Sequence, residues 1–268
     1  MLLFSDWSPP FQALAAGTGT WLLTAIGALP VFLSRRPSPR VLGVAMGTAA
    51  GVMIAASFWS LLAPAVEFSE GLGRWRFVPP LVGFLAGAAA IRVLDACLPH
   101  LHPGLAHDRD SAEGPRTTWR RSTLLVLAIT LHNVPEGLAV GVAFGAAGTG
   151  GSLGPALALA LGIGLQNLPE GLAIALPLRM QGASRTRAFW YGQLSAVVEP
   201  IAAIAGAWLV LAARPVLPYA MAFAAGAMIF VAVEELVPES QRHGHVDEAT
   251  LGLVLGFAIM MSLDVALR

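Results

Sequence analysis

Eight apolar runs, each about as long as a bilayer is thick, follow one another with short connections, and that pattern leaves few folds open. A hydrocarbon core needs about 20 apolar residues per helix. Only helices and closed barrels satisfy their backbone polar groups inside it. The runs fall at roughly 11–34, 41–64, 78–99, 122–146, 154–178, 187–211, 216–237 and 249–267. The sequence therefore predicts an all-α integral membrane protein, with one polytopic domain of eight transmembrane helices over residues 1–268. The longest connection, 99–121, is polar and too short for an extramembrane domain. Charged residues make up 12% of the chain, about half of what a soluble domain carries. No basic stretch precedes the first run, which reads as a retained span rather than a cleaved leader.

Arginine placement orients the helices. All 16 basic residues are Arg. One side receives Arg35, Arg36, Arg40, Arg109, Arg116, Arg120, Arg121, Arg179, Arg185, Arg187 and Arg242; the other receives Arg74, Arg76, Arg214 and Arg268. The imbalance predicts both termini outside and the 99–121 loop in the cytoplasm; the expected location is the cell inner (plasma) membrane, as a multi-pass protein. Net charge is zero, so no bulk field draws the chain to nucleic acid. Cys97 is the single cysteine, which excludes an intrachain disulfide. Gly43/Gly47/Gly51 and Gly83/Gly87 are small-xxx-small patterns that let helices approach closely. They serve either plain helix packing or a sliding surface between two helix groups.

Two carboxylates sit in the fourth and fifth runs, within near-copies of one motif: His132-Asn133-Val134-Pro135-Glu136-Gly137 and Gln166-Asn167-Leu168-Pro169-Glu170-Gly171. An intramembrane carboxylate is costly and marks function by default. His132 and Glu136 are i and i+4 on one helix face, as are Gln166 and Glu170. Each proline frees a carbonyl one turn earlier, at Leu131 and Leu165, and kinks its helix. Consecutive spans are antiparallel, so the two half-sites can face each other. Imidazole with carboxylate and amide oxygens suits zinc or a similar first-row divalent ion. Glu199-Pro200 in the sixth run adds a third carboxylate, which with Asn133, Asn167 and shared Glu136 and Glu170 suits a second ion. Three carboxylates against two divalent cations leave charge nearly balanced.

The paired motifs resemble those of the ZIP (Zrt-, Irt-like protein) family of divalent metal transporters, prokaryotic branch. The resemblance covers the whole chain. It implies a ZIP-like bundle with a central binuclear site: His132, Glu136, Gln166 and Glu170 for the first ion; Asn133, Asn167 and Glu199 with the bridging glutamates for the second. Family members also carry His and Asp where this chain has Gln166 and Asn167. The implied mechanism is alternating access with an elevator-like shift of one helix group, delivering Zn2+, or Cd2+, Fe2+ or Mn2+, to the cytoplasm. In such an arrangement Met53, Glu67 and Asp264 line an outer entrance.

On the cytoplasmic side, Asp95, His100, His102 and His107 crowd the end of the third run and the loop beyond it. Glu235, Glu239, His243 and His245 follow the seventh. These are candidates for ion exit or sensing. No covalent chemistry and no catalytic cofactor are implied, and no phosphate-binding G-x-x-x-x-G-K-[ST] loop exists. The expected partners are divalent ions and membrane lipid, with a second copy of the chain, as a homodimer, a further candidate. The rival readings are an intramembrane metallohydrolase, against which the chain lacks H-E-x-x-H, and a metal-selective channel.

Overall fold

A computed structural model describes residues 4–33, 38–97, 121–180, 182–242 and 244–267. Eight helical rods account for nearly all of them: α1 (Pro9–Phe32), α2 (Pro39–Glu67), α3 (Val78–Cys97), α4 (Arg121–Gly148), α5 (Leu153–Met180), α6 (Arg185–Ala212), α7 (Arg214–Gln241) and α8 (Val246–Leu267). Six of these carry a stretch long and apolar enough to cross a membrane, and Val78–Leu94 in α3 is a shorter apolar helix. α4 is 28 residues long, ample for a span.

Rod starts follow from local chemistry. Pro39 occupies the first turn of α2, where its missing N–H costs nothing. Ser38 Oγ there accepts the Val41 N–H at 3.2 Å, and Ser184 Oγ does the same for Arg187 at the head of α6. Prolines also shape the rods from within. α2 runs as a π-helix over Ser57–Leu62, just before Pro64, and α7 over Ala232–Leu236, just before Pro238. A proline cannot donate to the carbonyl four residues back, and the wider turn absorbs that break. α6 is interrupted between Arg185–Leu194 and Val198–Ala212. Pro200 cannot donate to Ala196, whose carbonyl accepts the Glu199 N–H at 3.0 Å instead.

Glycine contacts sort the rods into two groups. A Cβ on Gly171 would stand 2.1 Å from the Thr24 carbonyl oxygen, joining α5 to α1, and one on Gly141 would stand 2.0 Å from that of Ala203, joining α4 to α6. In the other group, Gly51 meets the Leu253 carbonyl at 1.9 Å (α2 to α8) and Gly87 meets that of Phe223 at 2.0 Å (α3 to α7). Backbone approach this close needs glycine. Between the groups, Gly162 on α5 meets the flexible Met260 thioether on α8, at 2.3 Å from Sδ. Among the described residues, every glycine approach to foreign backbone closer than that stays inside a group. The Gly43/Gly47/Gly51 and Gly83/Gly87 patterns are thus packing within one group, not a sliding surface.

Candidate metal centre

The centre forms where α4, α5 and α6 face one another. His132, Asn133, Glu136, Gln166, Asn167, Glu170 and Glu199 are all buried, none more than 7% exposed. Gln166 Nε2 donates to Glu136 Oε1 at 2.8 Å, tying α5 to α4. Asn167 Nδ2 donates to both oxygens of Glu199, at 2.9 and 3.0 Å, and to the Thr20 carbonyl at 3.2 Å. Glu170 and Glu199 lie close enough to Glu136 to interact with it electrostatically. Each amide is thus tied to one carboxylate, Gln166 to Glu136 and Asn167 to Glu199. Each amide is ambidentate: turned over, it presents oxygen in place of N–H.

The packing leaves acceptors over. Asn133 Oδ1, Glu136 Oε2, Gln166 Oε1 and Asn167 Oδ1 are buried without a hydrogen-bond partner among the described residues. A buried polar atom left unsatisfied costs about 1–3 kcal/mol. Four such oxygens in neighbouring side chains make a poor core. Asn133, whose amide nitrogen is also unpartnered, has no packing reason to be buried there.

His132 points elsewhere. Its Nδ1 stands 3.1 Å from Glu235 Oε2 on α7, across the boundary between the helix groups. Among the described residues, no group of three or more His, Cys, Asp or Glu side chains is placed to hold a metal ion. His132, Glu170, Glu235, Glu239 and Met46 line one small cavity of about 30 Å3, large enough to hold water.

A separate cavity of about 240 Å3 lies toward the other end, lined by Ser60, Glu67, Phe68, Ala143 and Met221 among others. Ser60 donates a hydrogen bond to Asp264, joining α2 to α8. Asp264 and Met53 are fully buried and Glu67 is exposed. Asp264 is thus not a free helix-end charge, and Met53 packs in the main core.

The cytoplasmic candidates are divided. Glu235 and Glu239 face the small cavity. His245 lies instead 3.9 Å from Glu248, which pairs with Arg40 at 2.9 Å. His100, His102, His107 and His243 lie outside the described residues, as do the side chain of Asp95 and nearly all of the 99–121 loop. Cys97 is exposed, not buried as a small apolar residue would be.

Sequence reasoning missed Ser60 and Thr20. Ser60 sits on the π-helical turn of α2, and a usable signal was Pro64, exactly one turn later in an apolar run. Thr20 contributes its backbone carbonyl to Asn167 and its side chain to Glu199, and the signal for it was a hydroxyl inside the first apolar run. Trp21 is a third omission: its indole N–H donates to the Gln193 carbonyl and Oε1, at 2.8 and 2.9 Å, stapling α1 to the interrupted α6.

A family model described as ZIP Zinc transporter matches residues 106–264, more than half of the chain and all of the centre. The chain belongs to the ZIP family. It is 44% identical to Zinc transporter ZIP11 of Homo sapiens, over 97% of this chain and 98% of that protein. It is 41% identical to Zinc transporter GufA of Myxococcus xanthus, over 95% and 97%. To Zinc transporter ZIPB of Bordetella bronchiseptica it is 38% identical, over 95% and 81%. This is a family of multi-pass transporters, not of enzymes, and the metallohydrolase reading falls away.

Proposed function

We propose that this chain carries zinc, or a related divalent ion, across the inner membrane into the cytoplasm through a binuclear site between α4, α5 and α6. The observation that carries this reading is the set of four unpartnered, buried acceptor oxygens on Asn133, Glu136, Gln166 and Asn167. They sit beside three carboxylates in apolar helices, where nothing but a cation needs them. The names of the similar proteins support zinc as the ion.

The first ion takes His132, Glu136, Gln166 and Glu170; the second takes Asn133, Asn167 and Glu199, with Glu136 and Glu170 shared. Filling the first site requires His132 to leave Glu235 and Gln166 to turn its oxygen inward. Glu235 and Glu239 then line the exit, and Ser60, Asp264, Met53 and Glu67 the entrance. The small cavity reaches His132 and Glu170, whereas the large outer cavity touches none of the central residues. That supports a state shut toward Asp264 and accessible toward Glu239. Opening the other way is a slide of α1, α4, α5 and α6 against the rest, consistent with glycine-tight contacts inside each group and a flexible thioether between them.

Zinc uptake into proteoliposomes, with zinc per chain measured on the purified protein, tests this reading. Asn167→Asp is expected to raise second-site occupancy. It sets a carboxylate against Glu199 with no N–H between them, a repulsion that only a cation relieves. Its thermal stability should become zinc-dependent, and tighter binding should slow release. Glu199→Ala should lower second-site occupancy while the first site still fills. If neither variant alters stoichiometry or rate, the binuclear part is wrong. Flux that rises without saturation would favour a channel.

A further inference from the structure

We infer that an anionic glycerophospholipid binds in a groove between the two helix groups, with its phosphate at Arg214 and one acyl chain inserted between α3, α4 and α7. The groove is a cavity of about 320 Å3 lined by Gly83, Ala86, Leu138, Val142, Tyr219 and Phe223, among other residues that are apolar throughout. Leu138 and Val142 belong to one helix group; Gly83, Ala86 and Phe223 belong to the other. Ala86 is exposed, so the groove is open to the surroundings of the bundle. At this depth those surroundings are hydrocarbon, and the occupant an apolar cleft admits there is an acyl chain.

The headgroup follows from what lies above. A second cavity, of about 530 Å3, is lined by Arg214, Leu72, Pro79 and Tyr219. Tyr219 is common to both cavities, and Pro79 precedes Gly83 by one turn of α3, so the two are stacked along the helices. Arg214 is exposed and makes no ion pair among the described residues. Exposed Trp75 and Phe77, just before α3, together with Tyr219, form the aromatic belt that marks headgroup level. Arg214 stands nine residues before Phe223, about 13 Å along a helix. An amphiphile with a phosphate at one end and a chain reaching that depth matches both cavities, and Arg214, the cation among the upper cavity's lining residues, selects negative headgroups. Phe68 lines this upper cavity and also the outer cavity that holds Glu67, so the lipid lies on that side of the protein.

Where the helix groups slide, as the proposed function holds, such a chain lies in the seam and sets how freely they move. The binding itself does not depend on that reading. The test uses the full chain in nanodiscs of neutral phosphatidylcholine doped with phosphatidylglycerol carrying a photoreactive group in mid-chain. Labelled peptides should come from α3, α4 and α7 around Ala86, Leu138 and Phe223, and unlabelled phosphatidylglycerol should suppress them better than phosphatidylcholine. Arg214→Gln should cut that preference by roughly fivefold, the effect of one arginine at a charged membrane surface. Filling the groove with Ala86→Phe, or independently with Leu209→Phe on its lining, should remove most of the label. Label spread evenly over all lipid-facing helices, or label that survives both filling variants, would mean ordinary annular lipid and overturn the proposal. An unchanged headgroup preference in Arg214→Gln would overturn it equally. Labelling is read whether or not the protein moves zinc, so failure of this site and failure of the transport reading are separate results.

Discussion

Replacing Glu136 by alanine is expected to bring zinc uptake down to the background of empty liposomes. Glu136 accepts from Gln166 on one oxygen, at 2.8 Å, while its second oxygen is buried without a partner, whereas both oxygens of Glu199 are taken by Asn167. On the proposed reading, one oxygen faces the first ion and the other the second. Removing it strips a charge from both ions at once. Loss of a mere outer-shell partner costs a metal site roughly 10–100-fold, so loss of a shared ligand should exceed that. The fold should survive, because Gly137 beside it packs directly on the α6 backbone at Glu199 and holds α4 in place. Uptake is measured at equal reconstituted protein, with size-exclusion behaviour as the check on folding. Near-normal flux through Glu136→Ala would contradict the shared-ligand assignment.

The second large effect is on stability. Gly51→Val is expected to abolish recovery of folded protein, since its Cβ alone would stand 1.9 Å from the Leu253 carbonyl oxygen. Overpacking ordinarily costs about 1–3 kcal/mol, and here the obstacle is helix backbone, which cannot step aside. Gly162→Ala should be mild by comparison. Its nearest obstacle is the end of the Met260 side chain, and Met rotates readily. Detergent-solubilised yield and melting temperature decide the matter. Equal losses in the two variants would remove the distinction between rigid contacts within a group and an adjustable seam between groups.

The helices and the centre were legible for different reasons. Apolar runs of bilayer length admit one secondary structure, so an all-α bundle of eight helices followed from length and composition. That Glu136 of the first motif meets Gln166 of the second was legible, because matching motifs in antiparallel spans face each other. The partner that His132 chooses was not. His132 lies against Glu235, more than a hundred residues on, and only the packing of α4 against α7 brings them together. Glycine spacing showed that helices approach closely but not which ones, so patterns open to a sliding role turned out to lie inside one group. The π-helical turns of α2 and α7 were hidden because a proline in an apolar run announces a break without saying how the helix absorbs it.

Anomalous X-ray scattering at the zinc edge, from crystals of the full chain grown with zinc, tests the central claim most directly. The account predicts a zinc peak bounded by His132, Glu136, Gln166 and Glu170, with ligand distances of about 2.0–2.2 Å. His132 should have turned away from Glu235. Zinc held only by Glu235 and Glu239, with His132 still paired and no peak between α4 and α5, would contradict it.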